Sequence, residues 1–158
     1  MTTGLHRLTP RPPMGWNSYD SFGCFINEKR ALENLAVFVE RLKPHGYEYF
    51  VIDAGWFRQY ELAGREFPGK TDANTVRHDA YGRPIPSANF FPAGFARLAD
   101  ACHASCIKFG IHMMRGIPRN AVKANTPIKG TDLRARDIAN CADTCSWCLD
   151  NYGVDMSK

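Results

Sequence analysis

Three places along the chain gather side chains suited to binding a hydroxylated ligand: Trp16 beside Asn17, Asp53 followed by Trp56, and His112 followed by Arg115. An indole offers a flat apolar face to the C–H side of a pyranose ring. Asp, Asn, His and Arg supply fixed donors and acceptors that tell one hydroxyl configuration from another. The combination suits a carbohydrate pocket. Each residue also has a plainer role open to it. Asp53 could cap the turn it precedes, and Trp16 and Trp56 could be lids over core. His112 could be a satisfied core histidine, and Arg115 could pair with a loop carboxylate such as Asp132 or Asp137. The joint reading is stronger than any single one, because all three places fall where an apolar strand runs out.

The elements that must position these residues are legible in outline. Pro12 and Pro13 forbid helix, so Met14-Gly15-Trp16-Asn17-Ser18 reads as a first strand running into a loop. Asn27 is a helix N-cap in type. Leu32, Leu35, Ala36, Val39 and Leu42 then recur at helical spacing, until Pro44 and Gly46 end the helix. Tyr49-Phe50-Val51-Ile52 is apolar on both faces, as in a covered parallel strand, and stops at Asp53. From Ala54 to Pro92 the chain is rich in Gly, Pro, Asn and Asp and is expected to be a long functional loop. A second helix is expected over Gly94 to Ser105, with Phe95, Leu98, Ala99 and Cys102 on one face, and a third strand over Ile107 to Met113. Arg115 to Lys158 has no sustained periodicity and reads as a large loop. Strand, helix, strand, helix, strand in one short span predicts right-handed crossovers and a parallel sheet. In such sheets ligands sit beyond the carboxyl ends of the strands, where all three residue groups lie.

Composition narrows the partners. With 44% hydrophobic and 23% charged residues, the chain has the make-up of an ordinary globular domain. The net charge of +4 is scattered, as in Arg58, Glu61, Arg65 and Glu66, so no basic stripe invites nucleic acid. No apolar run approaches the roughly 18 residues of a membrane span, and Met1 to Pro13 lacks the apolar core of a signal peptide. The expectation is a cytoplasmic protein with its six cysteines reduced.

Pro13-Met14-Gly15-Trp16-Asn17-Ser18-Tyr19 resembles the N-terminal signature of glycoside hydrolase family 27, the α-galactosidase or melibiase family. Further matches lie in order: Gly46-Tyr47-Glu48-Tyr49 through Ile52-Asp53, then Phe90-Phe91-Pro92-Ala93-Gly94-Phe95, then Lys108-Phe109-Gly110-Ile111-His112. The resemblance covers nearly the whole chain. It implies that residues 1–158 are about three βα units opening a (β/α)8 TIM barrel, truncated at the C-terminus, since a full barrel takes about 250 residues. It also implies that Trp16 lines a galactose pocket and that Asp53 accepts hydrogen bonds from sugar hydroxyls; the strand-end reading adds Asn17, Trp56, His112 and Arg115 to the expected substrate-binding set. The nucleophile and the acid/base are expected on strands later than His112. This chain is therefore expected to hold no catalytic residue, to need no metal or cofactor, and to be inactive alone. Two departures stand out. Ala54 occupies a position where the family has a second consecutive aspartate, and His112 one where a tyrosine is usual. The stretch Gly110 to Arg119 looks like a divergent bacterial branch.

Two rival readings come from elsewhere. Cys141, Cys145 and Cys148 have the C-x3-C-x2-C spacing that resembles the cluster loop of radical S-adenosylmethionine enzymes, where three thiolates hold a [4Fe–4S] cluster. That family places the loop after its first strand, whereas here only ten residues follow Cys148. The expectation is that these cysteines bind no cluster. The other rival is a non-catalytic carbohydrate-binding homologue, in which pocket residues survive without catalytic ones.

Overall fold

The computed structural model describes residues 12–69, 74–144 and 149–158. Strands β1 (Gly15–Asn17) and β2 (Tyr49–Ile52) lie where the apolar runs placed them. A hairpin of β3 (Arg58–Tyr60) and β4 (Asn74–Val76) follows, and then β5 (Lys108–Ile111). β1, β2 and β5 form one parallel sheet in that order, with Gly15, Trp16 and Asn17 opposite Tyr49, Phe50 and Val51. Phe109 and Gly110 of β5 sit opposite Phe50 and Val51. Gly15 is required by this pairing: a Cβ there would stand 2.5 Å from the Tyr49 carbonyl oxygen.

The helix expected from Asn27 runs Glu28–Arg41, and Asn27 Oδ1 accepts the Arg30 N–H at 3.0 Å. Its buried line is Ala31, Leu35 and Phe38, bordered by Leu32, Val39 and Leu42. Ala36, expected on this face, is exposed. One residue on from Leu35, it is turned roughly 100° away from the core. The second helix is Ala96–Ala104 and buries Leu98 and Cys102. It starts later than expected because Gly94 has φ of 75°, outside the helical region.

Both helices cover the same face of the sheet. Phe38 meets Phe50 edge-on at 5.7 Å between ring centroids, and Phe95 meets Phe109 at 5.5 Å. Phe50, Ile52, Leu98 and Cys102 are fully buried between them. The opposite face, carrying Val51 and Gly110, is only half-buried. Among the described residues the sheet has three parallel strands and is not closed into a barrel.

Two stretches expected as loops are built instead. In residues 54–92 the β3–β4 hairpin folds over the sheet, and Trp56, Phe57, Tyr60, Val76, Phe90 and Phe91 join the same core. Residues 115–158 contain β6 (Ile117–Pro118), the short helices Arg119–Ala124 and Ala135–Ile138, β7 (Ala139–Thr144) and β8 (Asn151–Val154). These strands make a second, antiparallel sheet in the order β6-β8-β7. Elements of two to six residues are too short for periodicity to register in a window of about 11.

The segment carrying the second sheet is pinned to the β3–β4 hairpin by polar contacts. Arg58 Nε lies 2.7 Å from Asp150 Oδ2, with side chains only 16% and 9% exposed. Burial disfavours the Arg58 charge, but the adjacent Asp150 carboxylate more than offsets this, so the guanidinium pKa is raised. Asn120 Nδ2 also donates to the Val76 carbonyl at 2.6 Å. No described helix is long and apolar enough to cross a membrane.

Candidate functional site

The carboxyl ends of β1, β2 and β5 bring Asn17, Asp53 and His112 to one cavity of about 440 Å³. The sheet register explains why. Asn17 and Val51 are paired, side chains alternate along a strand, and Asp53 therefore points to the same face as Asn17. His112 follows Ile111, the partner of Ile52, so it is the neighbour of Asp53 across the strands. Its backbone N–H donates to the Ile52 carbonyl at 2.8 Å, extending the ladder one step.

Asp53 is the best-fixed group in the cavity. Asn17 Nδ2 donates to its Oδ2 at 2.6 Å, and the Ala54 N–H donates to its Oδ1 at 2.6 Å. Its own N–H donates to Ser18 Oγ at 2.9 Å, and Ser18 is fully buried. Asn17 is itself oriented, because its Oδ1 accepts the Tyr19 N–H at 2.8 Å. One donor on each carboxylate oxygen leaves further lone pairs for hydroxyls of a ligand. The bond from Ala54 is also the turn cap considered as the plainer role, and it leaves the carboxylate facing the cavity. His112 Nδ1 stands 3.6 Å from Asp53 Oδ1, with 45% of its side chain exposed, against 13% for Asp53.

The other proposed residues sit elsewhere. Trp16 lies on the helix-covered face, stacked on Phe50 at 4.5 Å and edge-on to Phe22 at 6.3 Å. Trp56 is 2% exposed, packed against Phe57 and Phe95, and its indole N–H donates to the His112 carbonyl at 2.9 Å. The structure gives it a supporting position beneath His112 and leaves no open ring face. Arg115 makes a two-pronged contact with Asp143, at 2.9 and 3.1 Å, where Asp132 or Asp137 had been considered. The cavity also gains residues that sequence reasoning passed over: Tyr19, Asp20, Ala54 and Met114. Tyr19 and Asp20 open a four-residue helix directly after β1, and position beside a site-bearing strand end was the available signal.

Among the described residues no group of three or more His, Cys, Asp or Glu could hold a metal ion. Cys141 is an exposed free thiol, while Cys145 and Cys148 lie outside the described residues. The arrangement can bind and orient a polyhydroxylated ligand through a fixed carboxylate, an amide and an imidazole, with Tyr19, Asp20, Ala54 and Met114 completing the cavity.

No family model matches the chain. It is 32% identical over 153 residues to α-galactosidase A of Cellvibrio japonicus, covering 96% of this chain and 31% of that protein. It is 34% identical over 145 residues to an α-galactosidase of Oryza sativa, covering 91% of this chain and 29% of that one. Among solved structures, a GH27 β-L-arabinopyranosidase from Geobacillus stearothermophilus, in complex with arabinose, is similar with a TM-score of 0.83 and 41% identity. That match covers 100% of this chain and 37% of the other. The chain thus spans about a third of the length of these relatives.

Proposed function

Because the chain belongs with the α-galactosidase-like glycoside hydrolases of family 27, we propose that it supplies the sugar-binding part of a retaining glycosidase acting on terminal α-galactosides or sugars of matching stereochemistry. In this reading β1, β2 and β5 are the first three strands of a (β/α)8 barrel. Helices on one face of a sequentially ordered parallel sheet support it, because a doubly wound sheet has helices on both faces. Asp53, Asn17 and His112 bind hydroxyls, while the nucleophile and the acid/base stand on later strands. The observation that carries the reading is the Asp53 carboxylate, held by Asn17 and Ala54 at a strand end and facing an open cavity.

Ala54 refines the sugar. It lines the cavity beside Asp53, where the family resemblance leads one to expect a second aspartate. Its methyl accepts no hydroxyl, so one hydroxyl of the ligand loses a charged partner. β-L-Arabinopyranose is galactose without its exocyclic hydroxymethyl group, and it is named in the substrate of the Geobacillus relative. The enzyme therefore favours the arabinopyranoside over the galactoside. Comparing kcat/KM on the two nitrophenyl glycosides, in the complete barrel enzyme, tests this. Ala54→Asp should move the ratio toward the galactoside by about tenfold or more; an unchanged ratio refutes the role of Ala54.

Retaining hydrolysis needs two carboxyl groups about 5 to 5.5 Å apart on either side of the scissile bond. Residues 1–158 alone should release no nitrophenol from either substrate above a no-enzyme control. Turnover by a monodisperse preparation, abolished by Asp53→Ala, would place the catalytic pair within these residues, with Asp20 as the second carboxyl to examine.

A further inference from the structure

We propose that the cavity between the helix Arg119–Ala124 and the second sheet binds an anion: a carboxylate or phosphate group on a molecule of about sugar size. The proposal goes beyond the glycosidase reading and does not depend on it. The cavity measures about 620 Å³, within the roughly 300 to 1,000 Å³ of small-molecule pockets. Arg119, Lys123 and Arg136 line it together with Val122 and Tyr152, and no carboxylate is among its described lining residues.

Two of the three cations, Arg119 and Arg136, are held in place, and none of the three is paired with a carboxylate in the cavity. The Arg119 guanidinium lies over the Tyr152 ring, 4.7 Å from its centroid, and its buried Nε has no hydrogen-bond partner. Arg136 is anchored by its Nε on the Val122 carbonyl at 3.1 Å and its Nη2 on the Lys123 carbonyl at 2.6 Å, two contacts that fix the side chain without neutralising it. Carboxylates on the same sheet are engaged by other arginines: Asp150 by Arg58 and Asp143 by Arg115. Asp137, next to Arg136, is turned to the Arg134 N–H. Three like charges around one concavity repel each other at a cost that a bound anion removes. A guanidinium stacked on an aromatic ring keeps its N–H edge free, and that planar fork matches the paired oxygens of a carboxylate or phosphate.

The test is calorimetric titration of the full chain with inorganic phosphate, glucuronate and, as the neutral control, glucose, at low and high potassium chloride. One anion or both should saturate at a single site with Kd of about 1 mM or tighter. Glucose should give no heat, and salt should weaken the anion. Phosphate alone saturating assigns a phosphate ester, and glucuronate alone a sugar acid. Arg119→Gln should weaken binding about tenfold and Arg119→Lys less. Lys123→Gln, at an exposed residue, should weaken it by a smaller factor and guards against a folding defect in the first variant. Failure of both anions to saturate, glucose binding as well as either, or affinity untouched by Arg119→Gln and Lys123→Gln overturns the proposal.

Discussion

Removing the Asp53 carboxylate is the sharpest probe of the candidate site. In the folded chain each oxygen already receives one N–H at 2.6 Å, from Asn17 and from Ala54. That leaves room for about one hydroxyl of the sugar on each oxygen. A hydrogen bond to a charged group contributes about 1.5 to 3 kcal/mol, so Asp53→Ala should cost about 3 to 6 kcal/mol of transition-state binding. In kcat/KM this is a loss of about 10²- to 10⁴-fold. The melting temperature should fall by no more than about 4 °C, because Asn17 and the Ala54 N–H lose a partner beside an open cavity where water reaches them. Asp53→Asn should be nearly as damaging. Its amide keeps one acceptor for two donors, so its NH2 would face either the Ala54 N–H or the Asn17 amide, and turning Asn17 round would strip the Tyr19 N–H of its acceptor. Nitrophenyl glycoside kinetics in the complete enzyme, paired with thermal melts, separate the two roles of the residue. A large drop in melting temperature with kcat/KM intact would mean that Asp53 is a turn cap and nothing more.

Two further outcomes follow from the packing. Asp150→Ala removes the carboxylate from the largely buried Arg58 guanidinium and should cost about 3 to 5 kcal/mol, read as a lowered denaturation midpoint, while a change below about 1 kcal/mol would show the pair to be solvated. Burial pushes the Cys102 thiol from 9.0 up to about 11, so its contribution is whole below about pH 9 and is lost as pH rises toward 11, by about 1.4 kcal/mol per pH unit; urea melts at increasing alkaline pH should steepen in loss relative to Cys102→Ala, and parallel curves would refute it.

The parts of the fold that were legible are those in which one local signal suffices. Tyr49 to Ile52 announced itself as a doubly apolar run, and the helix from Asn27 by its cap and spacing. Asn17, Asp53 and His112 could be brought together because parallel register places strand ends side by side. Trp56 was misjudged for a physical reason. Its position three residues past a strand end resembles that of a pocket wall, yet it is buried against Phe95 and bonded to the His112 carbonyl, long-range contacts that no window of sequence contains. The second sheet was missed likewise, since β6 is only two residues long and pairs with β8 more than thirty residues away. Arg115 found an acid as considered, but which acid depended on the pairing of β7 with β8.

These misjudged stretches are also what makes the site rigid. His112 lies one residue beyond β5, with one backbone bond to the Ile52 carbonyl to extend the sheet, and such a position would fray if nothing else held it. The Trp56 indole donates to its carbonyl from beneath, and Trp56 is in turn clamped between Phe57 and Phe95. Asp150 grips Arg58 two residues further along the same loop, so the second sheet and the hairpin brace each other over the strand ends. A side chain that must meet a sugar hydroxyl has to be held to about half an ångström, and three strands with open edges do not achieve that by themselves. The candidate binding residues therefore come from the legible parallel strands, whereas their placement is braced by loops whose structure depends on distant partners.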